Sequence, residues 1–237
     1  MITLAVDTSS LTASCAVVED GRVISELSMQ YGKTHSQKIV PMLRDVLAML
    51  KKSFQDIDLF AAAIGPGSFT GLRIGVVTIK ALAYSLKKPV CGISTLDALA
   101  YSLPDFKGVL VPMLDARNNQ VFSAIFHKKD NHLDKISPDR GISIEELIAQ
   151  IKDQDEDAMV IGDAVPLHLE KMRAVLGGKI IEAPPALSFP RAASTALLAE
   201  QVFRDNKAIN AFELEPQYLR KSQAERMKSL SNGPDAN

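Results

Sequence analysis

The stretch VDTSS (6–10) sets a carboxylate and three hydroxyls at the end of an apolar run, ITLAVD. Asp7, Thr8 and Ser9 in that place admit two readings. They can position a nucleotide phosphate or its magnesium, or they can form a tight β-turn whose oxygens satisfy backbone amides. Nucleotide kinases place glycine in such a loop, and none stands between Asp7 and Gly21. A second carboxylate, Asp115, closes the apolar run GVLVPMLD (108–115) and is followed two residues later by Arg117. The two aspartates lie 108 positions apart in the same pattern of apolar strand, Asp, polar turn and alternating strand. That spacing is a weak internal repeat.

A third candidate is AIGPGSFTGLRIG (63–75), with four glycines and a proline in thirteen residues. Amides at a glycine-rich helix start attract anions. The Walker spacing fails, because no Gly-Lys-Ser/Thr follows at the required distance. The dinucleotide spacing fails too, because Gly65, Gly67 and Gly71 leave one residue too many in the second gap. The better reading makes Gly65-Pro66-Gly67 the turn out of a buried strand, with Ser68 or Thr70 as helix cap. Gly71 and Gly75, one turn apart, then form a smooth helix face on which another helix can lie closely. Anion binding there stays a minor alternative.

Other chemistry is sparse. His35, His127, His132 and His168 form no i,i+4 pair, and Cys15 and Cys91 are far apart in apolar stretches. No zinc pattern or Ser/His/Asp arrangement stands out, so no metal, cofactor or catalytic residue is expected. His35 is read as structural, before a helix that Thr34 or Ser36 caps. The cysteines read as buried free thiols in a reducing compartment.

The elements that position these residues follow from periodicity. ITLAVD (2–7), TASCAVVED (12–20) and RVISELSM form three strands, with Asp20-Gly21 as a hairpin signal. SQKIVPMLRDVLAMLKK (36–52) has helical spacing, DLFAAAIG (58–65) is a buried strand, TGLRIGVVTIKALAYSLKK (70–88) a helix and PVCGIS (89–94) a strand. The second half offers QVFSAIFHKKDN (120–131) as an alternating strand with a polar turn, SIEELIAQI (143–151) and FPRAASTALLAEQVFRDN (189–206) as helices, and DAMVIG (157–162) as a strand. A duplicated β-β-β-α-β-α unit is the pattern of the actin-like α/β fold, with two domains each holding a mixed sheet flanked by helices. Domains are expected at 1–104 and 105–220, the last helix able to pack back on the first domain, with a polar tail at 221–237. Asp7, Thr8, Ser9, Asp115 and Arg117 would line the cleft between them.

The chain has 237 residues, 46% hydrophobic and 23% charged, with formal net charge −1. That balance speaks against general nucleic-acid or membrane binding. MITLAVDTSS lacks a basic start and carries Asp7 where a signal peptide would be apolar. Arg73, Gly75 and Lys80 interrupt the most apolar helix, so a membrane span is disfavoured and a cytoplasmic protein expected. On 36–51 the apolar arc, from Met42 and Met49 through Ile39, Leu43, Val46 and Leu50 to Val40 and Leu47, covers roughly 180°, against about 100° needed to reach one core. Helix 70–86 has only Arg73 and Lys80 as charges. This excess points to a protein partner, with methionines suiting an adaptable contact. The competing reading is a thick core covered by neighbouring elements.

GPGSFTGLRIG (65–75), VDTS (6–9), THSQKIVPML (34–43), GISTLDALA (92–100) and LDARNNQVF (114–122) together resemble the TsaB (YeaZ) family, over residues 1 to about 125 and again faintly at EPQYLR (215–220). The resemblance implies an actin-like fold and a role in making threonylcarbamoyladenosine in tRNA. It implies a paralogue of TsaD, the catalytic subunit, whose His-x-x-x-His holds a metal after the Gly-rich helix. Here that segment reads STLDAL, and Thr95 and Leu99 take the two histidine places. Leu99 cannot ligate at all, so the resemblance implies a non-catalytic member, even though His35 stands where the paralogue also has histidine. Family members pair through two helices of the first domain, with themselves or with TsaD, and an ATPase, TsaE, joins them. The interface residues expected on this chain are therefore Val40, Met42, Val46, Leu47, Met49, Gly71, Arg73, Gly75 and Lys80, and tRNA is met only through the complex. The alternatives are an actin-fold nucleotide kinase or ATPase, and a metallopeptidase-like protein.

Overall fold

The computed structural model describes residues 1–30 and 35–219. Thr34 and the expected tail at 221–237 lie outside them. The first sheet has strand order β3-β2-β1-β4-β5. Its members are β1 (Ile2–Asp7), β2 (Ala13–Glu19), β3 (Arg22–Met29), β4 (Leu59–Gly65) and β5 (Val90–Ser94). β1 runs antiparallel to β2 and parallel to β4, and β4 parallel to β5. Asp20 and Gly21 both take positive φ, 49° and 76°, as a tight turn matched to strand twist requires.

Side chains alternate across β1, and both faces are covered. Leu4 and Val6 face α1 (His35–Met49) and α2 (Phe69–Leu86), in a core with Phe60, Leu43, Val46 and Ile79. Ala5 faces the other way, against Ala192, Ala196 and Ala199 of α6 (Ala192–Arg204), while α3 (Thr95–Ser102) adds Ala98. α2 is long and apolar enough, by length and composition alone, to cross a membrane. Here Leu72, Val76, Ile79 and Ala83 are buried along one side of it, Val76, Ile79 and Ala83 against the first sheet.

The second sheet follows the order β10-β7-β6-β11-β12, with β8 on β6 and β9 on β8. Its strands are β6 (Val109–Asp115), β7 (Gln120–Ser123), β8 (Phe126–Lys129), β9 (His132–Lys135), β10 (Arg140–Ser143), β11 (Ala158–Ile161) and β12 (Ile180–Glu182). α4 (Ile144–Gln154) and α5 (Val165–Leu176) pack on one face. One expectation changes. The run 120–131 is not one strand: β7 and β8 both pair with β6, and the chain breaks at Ala124–Ile125 to pass between the two registers. The last helix, α6, packs back on the first sheet, and Ala208, Ile209, Ala211, Leu214 and Gln217 follow it there.

The return of α6 has a polar cause. Its first amides are capped from the strands: Ala192 N donates to Ser14 Oγ (3.1 Å) and Ala193 N to Glu26 Oε1 (3.0 Å). Arg191 Nε donates to Glu26 Oε2 at 2.9 Å. A carboxylate at a helix N-terminus also meets the favourable end of the macrodipole. Glu26→Ala should cost about 1.5–3 kcal/mol, the range for bonds to a charged group, seen as a lower urea midpoint with little change in m-value.

Candidate functional site

Asp7 is 1% exposed. Its Oδ1 accepts from Ser9 N (2.9 Å) and Ser9 Oγ (2.6 Å), the local turn that aspartate favours. Oδ2 has no partner among the described residues. Burial pushes the carboxyl up to about 6, against the pull of the two Ser9 bonds. The residues that follow are fixed in turn. Thr8 Oγ1 donates to Gly71 O (2.7 Å), Ser9 O accepts from Ser68 N (2.7 Å), and His35 Nε2 donates to Ser10 O (2.8 Å).

Three of the four glycines in 65–75 permit this contact. A Cβ on Gly67 would stand 2.4 Å from Ser9 O, one on Gly71 2.0 Å from Thr8 O, and one on Gly75 2.4 Å from Thr8 Oγ1. Gly65 takes φ +125°, where a side chain is strained, and its Cβ would meet Gln217 O at 2.6 Å. Ser68 is the cap of α2, accepting from Gly71 N. Two amides at this helix start are engaged by the chain, Ser68 N on Ser9 O and Gly71 N on Ser68 Oγ, and Leu72 N opens the helical ladder on Ser68 O. The backbone of Thr8 and Ser9 lies directly against this helix start. Gly71 and Gly75 are accordingly corrected. Their smooth face meets the protein's own first strand, not another protein.

The second aspartate is likewise engaged locally. Asp115 Oδ1 accepts from Arg117 N (2.7 Å), its Oδ2 lies 3.3 Å from Arg117 Nη1, and its own N donates to Asp163 Oδ1 (2.9 Å). Arg117, Asn118 and Asn119 run through φ of 64°, 54° and 58°, a left-handed turn outside the sheet. Asp163, missed in the sequence, is raised by burial first, with the Asp115 charge adding to it.

The apolar helix surface divides in two. Met42, Val46 and Leu47 are buried in the first core, which corrects their placement at an interface. The five-stranded sheet is wide enough to take most of the α1 arc. Val40 and Met49 remain outside, Met49 70% exposed. On α2 the outward side shows Arg73, Val77, Ala81 and Tyr84. The segment after α6 lies along that helix, a feature the sequence did not disclose beyond EPQYLR. Ile209 bridges Val90, Lys80 Nζ donates to Phe212 O (2.8 Å) and Leu214 O (3.2 Å), and Gln217 N donates to Ile64 O (2.7 Å). Phe212, 65% exposed, meets Tyr84 edge-on at 4.7 Å. A shallow groove of about 190 Å³ runs between Val77, Ala81, Tyr84 and Phe212. α3, also unread in the sequence, buries Thr95 and Leu99 completely; Leu99 packs with Leu96, Leu110, Leu114 and Phe126 between the sheets.

A family model described as "TsaD: tRNA N6-adenosine threonylcarbamoyltransferase" matches residues 25–228. The tRNA threonylcarbamoyladenosine biosynthesis protein TsaB of Bacillus subtilis (strain 168) is 32% identical over 225 residues, 95% of this chain and 96% of that protein. The chain belongs to the TsaB (YeaZ) family. TsaB of Haemophilus influenzae is 32% identical over 230 residues, with 92% of each chain covered. A crystal structure of an uncharacterized Pseudomonas aeruginosa protein with similarity to peptidase YEAZ superposes with TM-score 0.81 at 24% identity, over 92% of this chain and 99% of that one. YeaZ of the same organism gives 0.76 at 23% identity, over the same shares. These likenesses carry the fold, and the two-sheet arrangement is the actin-like one.

The buried Asp7 charge gives this TsaB-family chain a definite pH dependence. A folded pKa raised from 3.8 to about 6 means that the native state holds the proton more tightly than the unfolded chain. That stability is fully present below the unfolded pKa and is lost as pH rises through about 6. Asp7→Asn should therefore be more stable than the parent at pH 7.5, by about 3 kcal/mol at most, with the gain shrinking towards pH 5. Urea titrations at the two pH values measure it. Gly71→Ala should destabilise by more than about 3 kcal/mol, since its Cβ meets backbone, and lower the thermal midpoint of the isolated chain.

Proposed function

We propose that the chain is a non-catalytic subunit in the synthesis of N6-threonylcarbamoyladenosine in tRNA. It binds a TsaD-type catalytic subunit together with a TsaE-type ATPase, pairs with itself when alone, and meets tRNA only through the complex. The observation that carries the reading is the state of α3. The positions where the catalytic paralogue has its metal histidines hold Thr95 and Leu99, both fully buried, with Leu99 inside an apolar core between the sheets. A metal needs ligands with lone pairs facing one accessible point, and an aliphatic core offers none.

Two further observations support a binding role. The Thr8–Ser10 turn lies on the Gly-rich helix start, with Ser68 N on Ser9 O and Thr8 Oγ1 on Gly71 O, so backbone crowds the ground in front of that helix where a nucleotide phosphate would approach. This weighs against the kinase or ATPase reading. Meanwhile α2 and residues 209–218 turn Val77, Tyr84 and Phe212 outward in one patch, with aromatic side chains of the kind that dominate binding energy. The interface is thereby narrowed from the whole helix pair to the outer side of α2, the segment beside it, and Val40 and Met49 on α1. A cytoplasmic location follows from tRNA as the final object.

Val77→Glu combined with Tyr84→Glu should weaken binding to the TsaD-type subunit at least about tenfold, as charged groups in the centre of a contact do. Both side chains are exposed, so the thermal midpoint should stay within a few degrees. Asp115→Asn should leave binding unchanged. Titration calorimetry with the purified transferase reads both affinities and a thermal melt the midpoint, and unchanged affinity for the double variant would refute the surface.

A further inference from the structure

α2 carries two cations, and they are used differently. Lys80 serves the chain itself, donating to the carbonyls of Phe212 and Leu214. Arg73 is exposed, yet it is held. Its guanidinium carbon lies 4.0 Å from the centre of the Phe69 ring and 5.8 Å from that of Tyr218. The two rings stack at 4.7 Å, and Arg73 Nε donates to Tyr218 Oη at 2.9 Å. Among the described residues no carboxylate pairs with Arg73, and neither of its terminal amino groups has a bond. α2 itself contains no Asp or Glu.

This arrangement is more than a surface arginine needs. An unengaged guanidinium samples many rotamers, and ordering it costs free energy on binding. Here the aromatic seat sets the plane of the fork and the Nε bond sets its rotation, while the two terminal amino groups stay unused. Such a fork matches a carboxylate with two parallel bonds. Its neighbours on the outer side of α2 are apolar, Val77 and Tyr84, with Phe212 beside them. An acidic side chain set among apolar residues of a protein complements that surface. A run of nucleic-acid phosphates fits less well, because it calls for several free cations and Lys80 is already engaged.

We propose that Arg73 is the anchor by which the α2 face takes a carboxylate of its protein partner, with Phe69 and Tyr218 as positioning residues that hold the guanidinium ready. The proposal rests on the reading of that face as the binding surface. It also ties affinity to the segment bearing Tyr218, 145 positions away in sequence.

Titration calorimetry with the TsaD-type transferase tests it, using Arg73→Lys, Tyr218→Phe and Arg73→Glu at low and high salt. Arg73→Lys keeps the charge and loses the fork, and should weaken binding about 10- to 30-fold, as loss of a central arginine contact does. Tyr218→Phe keeps the ring stack and should cost about three- to tenfold, while Arg73→Glu should abolish measurable binding. Wild-type affinity should fall with salt, and that of Arg73→Lys, which keeps the charge, should fall in parallel. If Arg73→Lys binds within twofold of wild type while Val77→Glu with Tyr84→Glu weakens it, the face stands and the anchor is refuted. If wild type does not bind the transferase at all, the functional reading fails and the anchor with it. If Arg73→Lys keeps protein affinity but the assembled complex retains less tRNA, the guanidinium reads phosphate and the proposal is overturned.

Discussion

The structure depends on one contact: the turn Thr8–Ser10 lying on the first turn of α2. Thr8 O approaches the Gly71 position so closely that a methyl group there would sit 2.0 Å away. Three consequences follow from it. β1, the central strand of the first sheet, is locked to the helix that covers it. Ser68 N, at the helix start, is held by Ser9 O. And Asp7, at the foot of the turn, is buried as a charge whose Oδ2 has no partner among the described residues. A nucleotide-binding protein would keep this ground open for phosphate; here it is filled with backbone.

On the proposed reading, that exchange is how a fold associated with phosphate chemistry serves as a binding module. Removing side chains from Gly67, Gly71 and Gly75 lets a strand-end turn and a helix approach each other. Thr95 and Leu99 are fully buried, and Leu99 makes α3 part of an apolar core with the second sheet. The polar chemistry that remains is local: Asp115 serves its own left-handed turn, and Glu26 caps α6. Exposed apolar side chains are found in several places, and on the outer side of α2 Val77 and Tyr84 are joined by Phe212 and Tyr218 from residues 209–218.

Much of this was legible in the sequence. The alternation of strand and helix periods gave the first sheet nearly element by element, Asp20-Gly21 gave the hairpin, and Ser68 gave the cap of α2. The direction in which Gly71 and Gly75 face was not legible, because small residues at helical spacing serve an internal strand as well as an external helix. Nor was the destination of Met42, Val46 and Leu47, since an arc of apolar residues does not state the width of the sheet beneath it. α3 escaped notice because STLDALA is short and follows a strand without a break. The segment after α6 was hidden for a different reason: it is held by backbone carbonyls to Lys80 and by Gln217 N to Ile64 O, contacts that leave no periodic trace.

The most direct measurement is reconstituted threonylcarbamoylation of tRNA by the TsaD-type and TsaE-type proteins, with this chain present, absent, or alone. The account predicts no turnover by the chain alone, and a strong loss of activity on omission that is restored by adding it back. Turnover by the isolated chain, or full activity in its absence, would contradict it.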